Sequence, residues 1–149
     1  MKLSTRSRYG TRALIDIAIN AKGKPVLLRD VARRQEISTM YLEHLITPLI
    51  SAGIIRSTRG AKGGVWLARP PADVTLTEVI RLLEGSMAPV ECVDDPKYCP
   101  RYESCVTREV WTDLKKAMTG VLDATTLEDL VAKQKQRIVE EPQAAMYYI

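Results

Sequence analysis

The chain has 149 residues, 46% of them hydrophobic and 27% charged, the length and make-up of about one globular domain with room for a core and a dimerisation element. Its net charge of +4 is unevenly spread: residues 1–71 carry 13 Lys and Arg against 4 Asp and Glu, and residues 72–149 carry 9 against 14. The basic opening MKLSTRSRYG leads into no apolar segment and the run ALIDIAI is too short to cross a bilayer, which argues against a secretory leader and a membrane span and points to the cytoplasm, a reducing compartment.

In chain order, Tyr9, Ala13, Leu14, Ile17, Ala18 and Ala21 recur at helical spacing and predict an amphipathic first helix over residues 4–21. KGKP at 22–25 breaks it. VLLRDVARRQEIS then reads as a short extended piece entering a second helix with Val31 and Ala32 inward. After a polar turn at Ile37, Ser38 is a suitable N-cap for a third helix carrying Tyr41, Leu42, Leu45, Ile46, Leu49 and Ile50, which Gly53 ends. Pro48 within it is expected to kink the helix or loosen its last turn. Two helices joined by a tight turn form a helix-turn-helix pattern. IIRSTRGAKGGVWLARP follows as a hairpin, Ile54–Ser57 and Val65–Ala68 about a basic, glycine-rich turn, in the position of a wing. RGAKGG lacks the ending of a Walker A loop and does not stand between a strand and a helix, which weighs against a nucleotide site.

Thr75 and Glu78 form a capping box for TLTEVIRLLEG, closed by Gly85. A cysteine-bearing stretch without periodicity comes next. From about Ser104 a long helix sets Val106, Val110, Trp111, Leu114, Ala117, Met118, Val121 and Leu122 on one broad stripe. Such a stripe outside a DNA-binding unit predicts packing on a second copy, with intrachain core as the alternative for about half of it. Thr125 and Glu128 make a second capping box before Leu127, Leu130 and Val131, and the tail from 142 reads as irregular. The predicted fold is mainly α with a small β wing: a winged helix-turn-helix unit at 1–71, a connecting helix and sensor loop at 72–103, a dimerisation helix and a following helix at 104–141, and a tail at 142–149.

A basic half joined to an acidic half is expected when only the first meets a polyanion, and a merely solvated basic surface is the alternative. In helix-turn-helix docking the start of the second helix enters the major groove, so Ser38, Thr39, Tyr41, Glu43 and His44 are the candidate DNA-reading residues. Glu43 is suited to accept from cytosine N4, and Ser38 and Thr39 suit phosphate or base contacts. Tyr41 is equally able to pack inward with its hydroxyl outside. His44, the single histidine, reads as a surface or DNA contact rather than a metal ligand. Arg59 at the wing tip suits a narrow, A·T-rich minor groove, flanked by Arg56 and Lys62 on phosphates. Arg6, Arg8, Arg29, Arg33 and Arg34 are further candidates for backbone contact or solvated charge.

CVDDPKYCPRYESC, residues 92–105, holds all three cysteines in C-x6-C-x5-C spacing. An odd count in a reducing compartment favours metal binding or redox chemistry over a disulfide framework. SRYGTRALIDIA, LRDVARRQEISTMYLEHLITPLISAGII, the wing STRGAKGGVWLARP and three cysteines ahead of a long helix together resemble the Rrf2 family of bacterial transcription regulators, from the N-terminus to about residue 132. The resemblance implies a winged-helix homodimer on near-palindromic operator DNA. In the family's cluster-containing members three cysteines in this region bind an iron–sulfur cluster that sets DNA affinity in response to iron, redox state, oxygen or nitric oxide. Cys92, Cys99 and Cys105 match them. In the branch that controls cluster assembly a histidine three positions past the last cysteine completes the ligands, and here that residue is Arg108. In some nitric-oxide-responsive members an acid in the partner subunit's first helix serves, and Arg8 falls in the matching place.

The expectation is thus a regulator, not an enzyme, with a 2Fe–2S or 4Fe–4S cluster on Cys92, Cys99 and Cys105 and an unidentified fourth ligand. The alternatives are a metal-free thiol switch aided by Lys97, Arg101 and Arg108, or a zinc site, for which the spacing is poor; Glu103 and Glu109 are possible oxygen ligands. A small iron–sulfur electron-transfer protein is the reading from another class, against which stand the absence of a fourth cysteine and a basic winged half with no use in that role.

Overall fold

The computed structural model describes residues 3–60 and 63–140. Ser4 accepts the Arg6 N–H and starts α1 (Thr5–Asn20), whose Ala13, Leu14 and Ile17 are fully buried. α2 (Leu28–Gln35) contributes Val31 and Ala32 to the same core. It stops because Glu36 takes a left-handed backbone (φ 55°), letting the Ile37 N–H return to the Ala32 carbonyl. Ser38, extended, then caps α3 (Thr39–Ser51) by accepting the Tyr41 N–H at 3.2 Å. The turn therefore places a non-glycine residue where glycine is cheapest, and the cap immediately after it fixes where α3 begins.

Pro48 does not end α3. Its ring removes the N–H that would meet the His44 carbonyl, yet the helix continues to Ser51 and the Ala52 N–H still reaches the Pro48 carbonyl at 3.0 Å. The expected loosening of the last turn is absent. Gly53 (φ 72°) closes the helix in a Schellman arrangement, its own N–H bonding Ile50 and the Ile54 N–H bonding Leu49, both at 3.0 Å.

The two wing strands, β1 (Ile55–Thr58) and β2 (Gly64–Leu67), are antiparallel, Ile55 facing Leu67 and Thr58 facing Gly64. Val26 joins them through a two-way bridge to Val65, so the short extended piece before α2 ties the wing to the helices. After a 3-10 turn at Pro71–Asp73, Thr75 caps α4 (Leu76–Glu84). The capping box expected there is half made: Glu78 gives its N–H to Thr75, but its carboxylate accepts from Arg69 instead of returning to the cap.

Three 3-10 turns, Glu91–Val93, Pro96–Tyr98 and Tyr102–Ser104, carry the chain to α5 (Val106–Asp123), of 18 residues. None of the α5 side chains is fully buried, Val110 being 59% and Val121 68% exposed. The stripe divides: Leu114, Met118 and Leu122 are half-buried within the chain, where α5 packs on α4, and Val106, Val110, Trp111, Ala117 and Val121 are exposed. α6 (Leu127–Glu140) returns to the first half, with Leu127 and Val131 joining the core that holds Ala13, Leu14 and Ile17. Its cap also differs from the reading above. Thr126 and Asp129, not Thr125 and Glu128, form the box: Asp129 accepts the Thr126 N–H at 2.9 Å, and Thr126 Oγ1 accepts the Asp129 N–H at 3.2 Å. Pairing between Thr75 and Thr126 sets that register, because the Leu127 N–H is committed to the Val74 carbonyl and Thr125 Oγ1 donates back to Val121.

Candidate DNA-reading face and cysteine loop

The buried residues of α3 are Leu42, Leu45, Ile46 and Leu49, which leaves Thr39, Met40, Glu43, His44, Thr47 and Ser51 exposed along the opposite face. The candidate residues divide on this geometry. Thr39, Glu43 and His44 lie open to solvent, as do Arg56 on β1 and Arg59 at the wing tip. Ser38 is exposed, but its oxygen is engaged as the cap of α3 and leaves its O–H to donate. Tyr41 is half-buried, edge-on to Tyr9 of α1 with ring centroids 6.3 Å apart, so its ring packs inward. Lys62 lies outside the described residues.

The wing keeps its form through backbone contact. The Gly63 N–H bonds the Gly60 carbonyl at 2.8 Å, and a Cβ on Gly63 would lie 2.6 Å from the Thr58 oxygen. Glycine at 63 thus allows the strands to close tightly behind Arg59.

One of the candidate phosphate contacts is committed elsewhere. Asp16 of α1 is buried with only 4% of its side chain exposed, and Arg34 forks onto both its oxygens, Nε lying 2.9 Å from Oδ2. Gln35 Nε2 and Asn20 Nδ2 complete the carboxylate's partners, while Arg12 holds Gln35 through its side chain and carbonyl, each at 3.1 Å. The end of α2, and with it the turn into α3, is pinned to α1. This network lay beyond the sequence pattern, because nothing in the helical spacing distinguishes Asp16 or Arg34 from solvated charges.

Cys92 lies in the first 3-10 turn after α4, Cys99 just beyond the second, and Cys105 at the N-cap of α5. All three are free thiols and half-buried. Cys105 Sγ stands 3.2 Å from Thr107 Oγ1. That hydroxyl, the N–H groups of the first α5 turn and the positive charge of Arg108 hold the Cys105 thiol below its ordinary range. Arg108 itself lies over the Tyr102 ring, 3.9 Å from the centroid to Cζ. Three unpaired thiols fit a soft-metal or iron–sulfur group in donor type. They are not drawn together: among the described residues no three His, Cys, Asp or Glu side chains stand in a metal-binding group. Holding such a group requires the loop to tighten.

With this geometry in view, residues 3–133 match the Rrf2 family model, described as an iron-dependent transcriptional regulator. The chain belongs to the Rrf2 family. The rrf2 protein of Nitratidesulfovibrio vulgaris is 49% identical over 88% of this chain and 87% of its own length. CymR of Bacillus subtilis is 39% identical over the full length of both chains, and its solved structure, titled as the global cysteine regulator of that organism, superposes with a TM-score of 0.75 over 89% of this chain and 98% of that one. The structure of T. potens IscR is 38% identical and superposes at 0.74 over 92% of this chain and 90% of that one. The Rrf2-family chain is therefore a DNA-binding transcriptional regulator with a winged-helix fold, as its relatives are transcriptional regulators. No helix among its described residues is long and apolar enough to cross a membrane.

Proposed function

We propose that this Rrf2-family regulator binds a near-palindromic operator as a homodimer, and that the state of the loop carrying Cys92, Cys99 and Cys105 sets its affinity. The start of α3 enters the major groove, where Ser38, Thr39, Glu43 and His44 meet base edges and phosphates and Tyr41 supports them from behind. The wing lays Arg59 along an A·T-rich minor groove, with Arg56 and Lys62 on the flanking phosphates. α5 brings the exposed part of its stripe, Val106, Val110, Trp111 and Val121, to a second copy. An open groove of about 440 Å³ beside it, lined by Leu3, Ile80, Met87, Pro89, Met118 and Leu122, extends the apolar surface available to that copy.

The observation that carries the sensor reading is the position of three free thiols between α4 and the N-terminus of an α5 with no fully buried residue. Cys92, Cys99 and Cys105 would hold an iron–sulfur cluster, which supplies a group responsive to redox state, nitric oxide or iron. The chain's own residues do the coupling. Arg108 stacked on Tyr102 and Lys115 paired with Asp94 connect the loop to α5, so a tightened loop changes where α5 starts and how far apart the two α3 helices stand. A difference of about 1.4 kcal/mol between the two states changes affinity tenfold. A metal-free thiol switch is the second reading, favoured by the lowered Cys105 thiol.

The experiment compares operator binding by anaerobically purified protein, cluster-free protein and Cys92→Ala at one salt concentration, with iron and sulfide counted in each. Different affinities for the first two, with Cys92→Ala behaving as the cluster-free form, support the cluster reading. Equal affinities in all three sink the switch. Protein that holds no iron yet changes affinity with oxidant favours the thiol reading.

A further inference from the structure

We propose that Met40 is a specificity-determining residue, its thioether arm reading the C5-methyl of a thymine in the operator's major groove. The inference rests on the DNA-binding reading of α3 and names a base that this helix selects. Met40 is 70% exposed, and among the described residues from Ser4 to Ala68 it is the one large apolar side chain left in the open. Leu3, ahead of α1 and 56% exposed, is the other such side chain in the winged-helix unit, and it lines the groove beside α5 rather than the face of α3. An exposed methionine on the outside of a helix gains nothing for the fold.

Its place decides what it meets. Met40 is the second residue of α3, in the turn that reaches base edges when a recognition helix docks. Glu43 and His44, three and four positions on, stand beside it on the same exposed face. Further along, the Thr47 and Ser51 hydroxyls donate to carbonyls one turn back, at 2.8 and 3.2 Å, and their protons are already used. The leading, unengaged groups of the helix are therefore the Thr39 hydroxyl and one apolar arm flanked by a carboxylate and an imidazole. The major groove presents one apolar feature, the thymine methyl, and the cytosine amino group is the donor a carboxylate accepts. Met40 on thymine with Glu43 on a neighbouring cytosine satisfies both. Three rotatable bonds and a polarisable sulfur let the arm adapt to the methyl without a fixed backbone distance.

The test uses the full chain and a duplex that the protein itself enriches from a random-sequence pool. Each thymine of that duplex is replaced in turn by deoxyuridine, which removes the methyl and keeps base pairing. The wild type is expected to lose about fourfold in affinity for each methyl that Met40 covers, and about sixteenfold when the symmetric pair is replaced together. Met40→Ala should bind thymine and uracil duplexes equally at those positions, while Met40→Leu, which keeps an apolar arm, should retain a preference for thymine. The side chain is exposed, so both variants should melt as the wild type does. A uracil penalty of equal size in wild type and Met40→Ala, or no position with a penalty, overturns the proposal. Failure to enrich any sequence overturns the DNA-reading assignment beneath it, so the two failures are distinct.

Discussion

Lys115, midway along α5, donates its ammonium to Asp94, whose second oxygen accepts the Ser86 hydroxyl just past α4. Asp94 lies two residues beyond Cys92, so one carboxylate fastens the cysteine loop to the elements on both sides of it. Both partners are about a third exposed, 31% and 35%, and such a pair contributes at most about 1 kcal/mol to stability. Its weight is positional. Lys115→Met is expected to shift urea unfolding by no more than about 0.5 kcal/mol while shrinking the ratio of operator affinities between cluster-loaded and cluster-free protein. The full ratio surviving in Lys115→Met would mean that loop and helix communicate by another route.

Arg34 and Arg33 are neighbours in sequence with opposite consequences. Arg34 is the main partner of a carboxylate that is only 4% exposed, whereas Arg33 meets Asp30 at 3.4 Å with 78% of its own side chain in solvent. Arg34→Ala leaves Asp16 charged and buried with only amide partners, a loss of about 3 kcal/mol. Arg33→Ala should cost less than about 0.5 kcal/mol. Arg34→Lys keeps the charge but not the fork, and should recover only part of the loss. Urea unfolding of the three variants measures this, and equal midpoints for Arg33→Ala and Arg34→Ala would refute the anchoring role of the pair.

How much of this was legible in the sequence depends on what each residue's neighbours in the chain could reveal. Ser38, Gly53 and the apolar positions of α1 and α3 act through partners within a few residues, so spacing alone located the helices, the turn and the wing. Arg34 was read as a candidate phosphate contact because its partner, Asp16, is 18 positions away and joins it only when α1 and α2 pack. The register of the last helix failed for a similar reason: Thr125 and Thr126 are equally good caps locally, and pairing of Thr126 with the distant Thr75 decides between them. Met40 is hidden in the sequence pattern because a methionine in an amphipathic helix reads as core until the buried face is known.

The cap of α6 offers a pH test of that register. The Thr126 hydroxyl, and then the Thr126 N–H, hold the Asp129 carboxyl below its usual range. A carboxylate with a depressed folded pKa contributes stability above its unfolded value and loses it as pH falls through the folded one. Thr126→Ala should therefore destabilise by about 1 kcal/mol at pH 7, and the gap from wild type should narrow below about pH 4. Thr125→Ala should be nearly neutral at both pH values, since its backbone bonds persist and only the hydroxyl bond to Val121 is lost. Denaturant titrations at pH 7 and pH 3 distinguish the two threonines, and a larger loss for Thr125→Ala would contradict the observed register.

The wing tests how backbone shape and charge combine. Arg59→Ala removes one cation from each wing tip, two per homodimer, and should weaken operator binding while flattening the dependence of log affinity on log salt by about two units. Arg59→Lys should keep the slope but lose much of the preference for A·T-rich flanks, because a compact, strongly hydrated ammonium enters a narrow groove less readily than a planar guanidinium. Gly63→Ala changes no charge. Its Cβ would press on the Thr58 and Gly60 carbonyl oxygens at 2.6 and 2.8 Å, backbone atoms that cannot swing aside, so the loop must open and carry Arg59 off its line. Gly63→Ala is therefore expected to resemble Arg59→Ala in affinity and salt slope, and the double variant should add little to either single change. Strict additivity of the two losses would mean that Gly63 affects binding by some means other than aiming Arg59.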